Sequence, residues 1–201
     1  MNIDTVERLR ALYPAPSERA VKKQLSSLDE HCRKFIALSP FVVVASAGVT
    51  RAMDASPRGG APGFVKVLDE RTLLIPDAPG NNRLDTLENI IGTGRVGLFF
   101  MIPGIDETLR INGAARLSCF EEQIEAFSGE KRRPKLVIEV TVGEAYLHCA
   151  KAFMRSGLWH ASSQVSRSLL PTLGEMISSQ TGIEVPAETR EAMLARYAPE
   201  L

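Results

Sequence analysis

RVGLFFMI (residues 95–102) and ETLRINGAARLS (107–118) are neighbouring strand patterns of two different kinds. The first is almost entirely apolar, as expected of a strand that is buried on both faces. The second alternates, so that Leu109 lies on one side of the strand and Arg110 on the other. Gly113 interrupts this alternation, which indicates a bulge or a tight bend of the kind that barrels use. Together the two patterns predict a curved antiparallel sheet.

Further strand patterns lie on both sides of this pair. Two of them are separated by little more than Glu70 and predict a hairpin. The last one is long and reads either as one strand or as two strands joined at Gly143. The segments are FVVVASA (41–47), GFVKVLD (63–69), RTLLIPD (71–77) and PKLVIEVTVGEAYLHCAKAFM (134–154). Six or seven strands with few helices predict a mainly β chain with flanking helices, closed as an antiparallel barrel and not as a doubly wound sheet.

Helical patterns flank the strands. Ser17 is a candidate N-cap for a helix whose apolar face recurs at helical spacing through Val21, Leu25, Leu28, Cys32 and Phe35. A short helix over residues 84–91, another over 120–129 and a C-terminal one over 187–197 are also predicted. The chain then divides into an N-terminal helical extension (1–38), a barrel domain (39–155) and a tail of loop and helix (156–201).

The composition excludes several classes of protein. Among the 201 residues, Lys plus Arg equals Asp plus Glu, so the net charge does not point to nucleic acid or to an anionic membrane surface. Three scattered Cys without a CxxC argue for a reducing compartment. We expect a soluble cytoplasmic protein, because no stretch has the pattern of a secretion signal or the ~18 apolar residues of a spanning helix.

Standard catalytic and metal motifs are missing from the sequence. GTGRVG (92–97) matches GxGxxG, but its glycines follow a helix pattern and precede a strand, which is the reverse of a dinucleotide site. We therefore interpret Gly92 and Gly94 as the end of a helix. The three His lack the spacing of metal ligands, and we predict no catalytic side chain and no metal.

PGNNR (79–83) is an unusual stretch just before the predicted helix at residue 84. Unpaired N–H groups at the start of a helix favour anions, and the guanidinium of Arg83 has the forked geometry that suits a phosphate. The same residues could also form an ordinary capped turn. From the residues alone, both interpretations stay open.

Two other stretches are notable. TRAMDASPRGGAPGF (50–64) is rich in Gly, and we predict a loop there that either approaches a ligand closely or is an exposed connection. In HCAKAFMRSGLW (148–159), Lys151 and Arg155 would share one face of a helix. Trp159, which is the only Trp, would be either a core anchor or a cofactor contact.

In this order, the stretches resemble the pyridoxamine 5'-phosphate oxidase-like, FMN-binding split-barrel family. The resemblance covers roughly residues 35–165 and rests on DASPRG (54–59), IPD (75–77) with GNNR (80–83), ETLRINGAA (107–115), and HCAKA (148–152) with RSGLW (155–159). It implies a six-stranded antiparallel split β-barrel and a homodimer that holds FMN at the subunit interface.

The resemblance also implies roles for individual residues. Arg83, beside Asn81 and Asn82, holds the place of the residue that grips the flavin phosphate. Ser56 and Arg58 match the segment along the isoalloxazine edge and the ribityl chain. The remaining residues, Lys151, Arg155 and Trp159, match a C-terminal stretch that approaches FMN, sometimes from the partner subunit.

The chain departs from the oxidase proper, which has a characteristic Trp and Arg close to its C-terminus: this sequence ends in AMLARYAPEL, with its Trp about forty residues earlier, so the vitamin B6 substrate is not carried over. We expect an FMN-dependent oxidoreductase with an unidentified small-molecule substrate. The alternative is a flavin or haem carrier without turnover, in which His148 or Cys149 would be the axial ligand. Since neighbouring residues of a strand point to opposite faces, only one of the two is expected to face a given pocket. A deazaflavin is a third possibility.

Overall fold

A computed structural model describes residues 2–184, 186 and 188–199. Within these residues the chain forms one antiparallel sheet with the strand order β2-β1-β5-β6-β7-β4-β3. Six of the strands have five or more residues, which confirms the six that the resemblance implies, and β3 adds a two-residue pair beside β4. The strands are β1 (Phe41–Ala47), β2 (Met53–Gly59), β3 (Lys66–Val67), β4 (Thr72–Pro76), β5 (Arg95–Met101), β6 (Thr108–Ser118) and β7 (Val137–His148).

The sheet curls around one apolar core. Val42, Leu73 and Ile111, which come from β1, β4 and β6, are fully buried in the same cluster of side chains. The two ends of the sheet approach each other: burial raises the pKa of the Asp77 carboxyl after β4, and the Arg58 guanidinium on β2 lies close enough to act against that rise. The fold is thus a split β-barrel with flanking helices.

The helices lie at the ends and on the surface of the barrel. The helices nearest the sheet are α3 and α4, and α4 contacts β1, β2, β5 and β6. α4 is capped at its C-terminal end by Gly94, whose φ of 63° is the left-handed conformation expected at the end of a helix. The helices are α1 (Val6–Arg10), α2 (Glu18–Lys22), α3 (Glu30–Leu38), α4 (Asp85–Thr93), α5 (Glu121–Glu125), α6 (Lys151–Ser156), α7 (Leu173–Thr181) and α8 (Arg190–Tyr197), with 3-10 turns at Ala161–Ser163 and Arg167–Leu169.

The N-terminal region contains two helices where the sequence predicts one. Ser17 does cap α2, but the helix ends after Lys22 and α3 begins only at Glu30. Between them the backbone of Leu25 exchanges two hydrogen bonds with that of Ala145 on β7, at 2.8 and 2.9 Å. The prediction of one continuous helix is wrong because pairing with the sheet replaces helical hydrogen bonds at this point.

The stretch 50–64 is not a loop. Residues Met53–Gly59 form β2, an edge strand that pairs with β1 along its whole length. Pro57 is tolerated because an edge strand has one side on which no ladder hydrogen bond is needed. The prediction of a connection holds for residues 50–52, between β1 and β2, and for residues 60–64, between β2 and β3.

The bulge indicated by Gly113 is confirmed, and it involves both strands. Asn112 pairs with Glu144 and Gly113 pairs with Val142, so that Gly143 is an extra residue on β7. The long C-terminal strand pattern is therefore one strand that bends at Gly143 and ends at His148.

The C-terminal part packs loosely on the barrel, since no residue of α6, α7 or α8 is buried. The predicted helix over 187–197 is confirmed as α8 from residue 190 onward, while its first residue, 187, lies outside the described part of the chain. No helix in the described ranges is long and apolar enough to cross a bilayer.

Candidate functional site

The stretch before α4 has an unusual backbone. Asn82 and Leu84 both have φ near +60°, which non-glycine residues rarely adopt. Asn81 accepts a hydrogen bond from the backbone N–H of Arg83 at 3.1 Å, which closes a local turn. Leu84 takes the N-cap position of α4 and makes no side-chain cap. The N-cap residue therefore leaves the first backbone N–H groups of α4 without a side-chain cap.

Arg83 presents its cation at this helix start. The side chain is 71% exposed and forms a forked ion pair with Asp85, Nε to Oδ2 at 2.8 Å and Nη2 to Oδ1 at 3.3 Å. An exposed pair of this kind contributes little to stability and exchanges readily. Arg83 can therefore transfer its two donors from Asp85 to a phosphate.

A polar cluster fixes α4 against the edge of the sheet. The Asp54 carboxylate on β2 accepts hydrogen bonds from Thr86 Oγ1 at 2.5 Å and from Ser56 Oγ at 2.9 Å. Ser46 Oγ lies 3.4 Å from the same carboxylate and accepts a hydrogen bond from Asn89 Nδ2 at 3.0 Å. Because Ser46 and Thr86 are almost fully buried, this cluster holds the start of α4 in a fixed position relative to β2.

The residue patterns predict no role for Asp54, Thr86, Ser46 or Asn89. A signal was present in MDASPRG (53–59), where Asp54, Ser56 and Arg58 recur with a period of two. That period places the three side chains on one face of a strand. The composition of the segment, which is typical of a loop, obscures this strand pattern.

Ser56 and Arg58 lie on the face of β2 that turns toward the barrel interior. They pair with Val44 and Val42 of β1, which are fully buried. Arg58 donates to the Pro57 carbonyl oxygen at 2.9 Å. Burial raises the pKa of the Asp77 carboxyl, and the Arg58 cation acts in the opposite direction. The structure thus brings Ser56 next to the Asp54 cluster, while Arg58 lies where the two ends of the sheet meet.

Lys151, Arg155 and Trp159 lie together on α6 and the turn that follows it. The Trp159 ring stacks on Phe153 with 5.5 Å between centroids, and its Nε1 donates to the Ile105 carbonyl oxygen at 2.9 Å. Lys151 and Arg155 are exposed. Trp159 therefore anchors α6 to the β5–β6 loop.

The α6 group and the Arg83 group are far apart within one chain. Arg58, Val42, Phe100, Leu109 and Leu147 form a single row across the sheet. Four strand spacings separate the first from the last, which is about 19 Å along the sheet. The start of α4 lies beside Asp54, toward the opposite ends of β1 and β2. Among the described residues, the contacts of the α6 group are with the β5–β6 loop and those of Arg83 are within the start of α4.

His148 and Cys149, the haem-ligand candidates, line one cavity at the end of β7. The expectation that only one of them could face a given pocket is wrong, because β7 ends at His148 and Cys149 is not part of the strand alternation. Whether a haem binds there stays a prediction.

The residues around Arg83 fit the phosphate of FMN. A phosphate needs donors and positive charge, which the guanidinium and the uncapped N–H groups of α4 supply. Gly80 leaves room for close approach, since a Cβ at this position would meet no atom within 4 Å. The carboxylates of Asp85 and Glu88 in the first turn act against an anion, so Arg83 has to release Asp85 when the phosphate binds.

Comparison with known proteins agrees with this fold. Residues 28–149 match the family model described as pyridoxamine 5'-phosphate oxidase. A crystal structure of a HupZ variant from Group A Streptococcus is similar with a TM-score of 0.51 at 16% identity, over 60% of this chain and 98% of that one. A pyridoxamine 5'-phosphate oxidase-like protein from Lactobacillus delbrueckii gives a TM-score of 0.49 at 18% identity, over 62% and 98% of the two chains.

At such low identity, the first of these structures supports the fold alone. Among curated proteins, no relative matches the chain. The family model spans more than half of the chain, including every strand, α3 and α4. The protein therefore belongs to the pyridoxamine 5'-phosphate oxidase family.

Proposed function

We propose that this protein is an FMN-binding flavoprotein that acts as an oxidoreductase on an unidentified small molecule. Bound FMN would supply hydride or electron transfer, which the side chains of the chain cannot perform by themselves. The residues of the chain bind and orient the cofactor, and no side chain has to act as nucleophile. Membership of the family and the phosphate-binding chemistry at α4 support the proposal.

The exposed Arg83 guanidinium beside the uncapped start of α4 is the observation that carries the proposal. Forked donors and a helix N-terminus are two independent means of binding the same dianion. The Asp54 cluster keeps both in place, because it ties Thr86 of α4 to β2. Ser56 lies on β2 next to that cluster and extends the site away from the phosphate, along the strand.

We also propose that the complete site needs a second copy of the chain. The α6 group lies about 19 Å along the sheet from β2 within one chain, so a partner would have to bring it to the flavin. The outer face of the sheet offers a suitable apolar surface. Met53 on β2 is 76% exposed there, and on the same face the partly exposed Val43 of β1 pairs with Phe99 of β5.

Flavin titration tests the phosphate contact. Arg83→Ala should weaken FMN binding roughly 10- to 100-fold, since hydrogen bonds to charged groups contribute about 1.5–3 kcal/mol. Riboflavin, which lacks the phosphate, should bind the wild type and this variant alike. Arg95→Ala, at the opposite end of α4, is the matched control and should leave both affinities unchanged.

Two results would contradict this assignment. One is an equal loss of FMN and riboflavin affinity in Arg83→Ala, because that would place the effect outside the phosphate. The other is a protein that contains no flavin when purified and takes up none when FMN is added. The absorption spectrum and the mass of the released cofactor also distinguish FMN from a deazaflavin or a haem.

Light scattering of the eluted protein tests the second copy. The wild type should have the mass of a dimer, and Met53→Glu should shift it toward the monomer with weaker FMN binding. Val6→Glu, which places the same charge on exposed α1, should remain dimeric. A wild type that is monomeric and still binds FMN tightly would refute the role of the partner.

A further inference from the structure

A cavity of about 930 Å³ lies between the N-terminal segment and the end of β7. Its walls are α2 with the residues that follow it, the start of α3, and the turn from β7 into α6. The Leu25–Ala145 backbone pair fixes the N-terminal wall against the sheet. A volume of this size accommodates an organic molecule and not merely an ion.

Three cations line this cavity. Lys23 donates to the Leu147 carbonyl oxygen at 2.9 Å and lies 4.8 Å from the centre of the Tyr146 ring, so its position is fixed while two of its N–H groups remain available. Arg19 and Lys151 line the same space. Within the part of the chain that the structure describes, none of the three forms an ion pair.

The acidic groups of the lining do not neutralise these cations. Asp29 accepts a hydrogen bond from the Cys32 backbone N–H at 2.8 Å and caps α3, so its carboxylate is already engaged. Glu107 is the other acid. The excess of one positive charge, together with apolar Leu25 and Leu147 on the walls, suits a molecule with an anionic head and an apolar body.

His148 is a further polar residue of the lining. Its ring lies 4.7 Å from that of Tyr146 and 5.9 Å from that of Phe99, centre to centre. Its Nε2 is buried, and no described residue forms a hydrogen bond with it. A buried polar atom in this state costs roughly 1–3 kcal/mol, which a ligand that bonds to it would recover.

We infer that this cavity binds a small organic anion, with a carboxylate or phosphate head between Lys23 and His148 and an apolar body against the Tyr146 ring, which both of these side chains approach. The cavity shares no lining residue with the proposed phosphate contact at Arg83, which lies beside β2. Lys151 also belongs to the α6 group of the proposed flavin site, so the inference is tested on Lys23 and His148 and without FMN. Most of the N-terminal wall precedes residue 28, where the family match begins.

Imidazole NMR with two probes tests the inference. Benzoate carries the charge and the apolar ring, and benzamide is the neutral molecule of the same shape. The chain has three His, so His148→Gln identifies the signal. The charged groups nearest the imidazole are Arg110 on β6, which is paired with Glu144 on β7, and Lys23 beside α2; Tyr146, Cys149, Lys151 and Glu107 are the other titratable groups around it.

Benzoate should move the His148 signal and raise the pKa of its imidazole, because an anion beside the ring favours the protonated form. Benzamide should do neither. Lys23→Ala should weaken benzoate binding roughly tenfold. Lys22→Ala, the neighbouring lysine that pairs with Glu18 and does not line the cavity, should change it less than twofold.

Arg19→Gln provides a second variant in case Lys23→Ala unfolds, since Arg19 is exposed, lines the cavity and has no assigned part in the flavin site. It should also weaken benzoate binding. The inference fails if benzamide shifts His148 as much as benzoate does, if Lys22→Ala and Lys23→Ala lose equal affinity, or if benzoate shifts only His31 and His160.

Discussion

Replacing Gly113 by Ala is expected to destabilise the barrel at the bulge between β6 and β7. A Cβ at this position would lie well inside 3.0 Å of the Thr141 carbonyl oxygen, 3.0 Å from its carbonyl carbon and 3.4 Å from Val140 Cγ1. The oxygen belongs to the backbone of β7, so it cannot rotate away as a side chain would. The two strands therefore have to separate locally.

The cost can be estimated from three contributions. Forcing an extra carbon into a packed site costs about 1–3 kcal/mol, and one weakened ladder hydrogen bond adds about 1 kcal/mol. Against this, Ala restricts the unfolded chain and returns about 0.4–1 kcal/mol. The net loss is about 2 kcal/mol, which corresponds to a fall in Tm of roughly 4–8 °C for a chain of this size.

Guanidinium unfolding measures the loss, and Gly143→Ala is the matched control. Gly143 lies on the facing strand of the same bulge, but its Cβ would meet only Asn112 O at 3.4 Å and Gly113 Cα at 3.9 Å, which are ordinary contacts. Gly113→Ala should lower the midpoint with an unchanged slope, and Gly143→Ala should stay within about 0.5 kcal/mol of the wild type. Equal stabilities of the two variants would refute the reasoning.

Three further predictions concern buried polar groups and thiols. Thr86→Val removes the hydroxyl that donates to Asp54 and should cost about 1–3 kcal/mol in the same unfolding assay, whereas Thr86→Ser should retain most of the stability. Burial, together with the cations Arg110 and Lys23, lowers the pKa of His148 in the folded protein. The unfolded state therefore binds the proton more readily than the folded state. The free energy of unfolding should fall as the pH drops below about 6.5. His148→Gln should show a smaller fall between pH 7.5 and 5.5, and equal falls in both proteins would contradict the assignment. Burial raises the pKa of Cys32 to about 12, whereas a hydrogen bond from the backbone N–H of Lys151 lowers the pKa of exposed Cys149. Iodoacetamide at neutral pH should therefore label Cys149 before Cys119, and should label Cys32 only in denaturant. Peptide mass spectrometry measures the order of labelling.

Strands with a clear apolar or alternating pattern could be predicted from the sequence, and β1, β5, β6 and β7 are where the pattern places them. The bulge at Gly113 could also be predicted, because a glycine inside an alternating strand is informative by itself. In these elements the local pattern and the tertiary structure agree.

Elements that depend on a distant partner could not be predicted in the same way. Residues 53–59 have the composition of a loop, and they become β2 only because β1 provides a full set of backbone partners. The helix pattern around Leu25 is interrupted for the same reason, since Ala145 takes its backbone hydrogen bonds.

The candidate site shows the same limit. Arg83 and its neighbours could be identified as an anion-binding stretch, because their chemistry is contained in five consecutive residues. The Asp54 cluster combines side chains of β1, β2 and α4. The cavity at Lys23 is formed by the N-terminal segment and the end of β7, which are more than 100 residues apart in sequence. Periodicity within one segment does not show which residues of distant segments come into contact in the fold.

The pairing of Leu25 with Ala145 also has a consequence for how the chain must be made. β4 pairs with β7 only as far as Thr141, and beyond that residue the segment around Leu25 is the neighbour of β7 at Ala145. Gln24 and Glu144, which hydrogen-bond beside this pair, are 120 residues apart, so the segment leaves the ribosome long before its partner exists. A chain that lacked the segment would present a bare strand edge on which other chains could add. The N-terminal residues thus protect this strand edge from aggregation. Removing them should lower the yield of soluble protein even where the cofactor site is left intact.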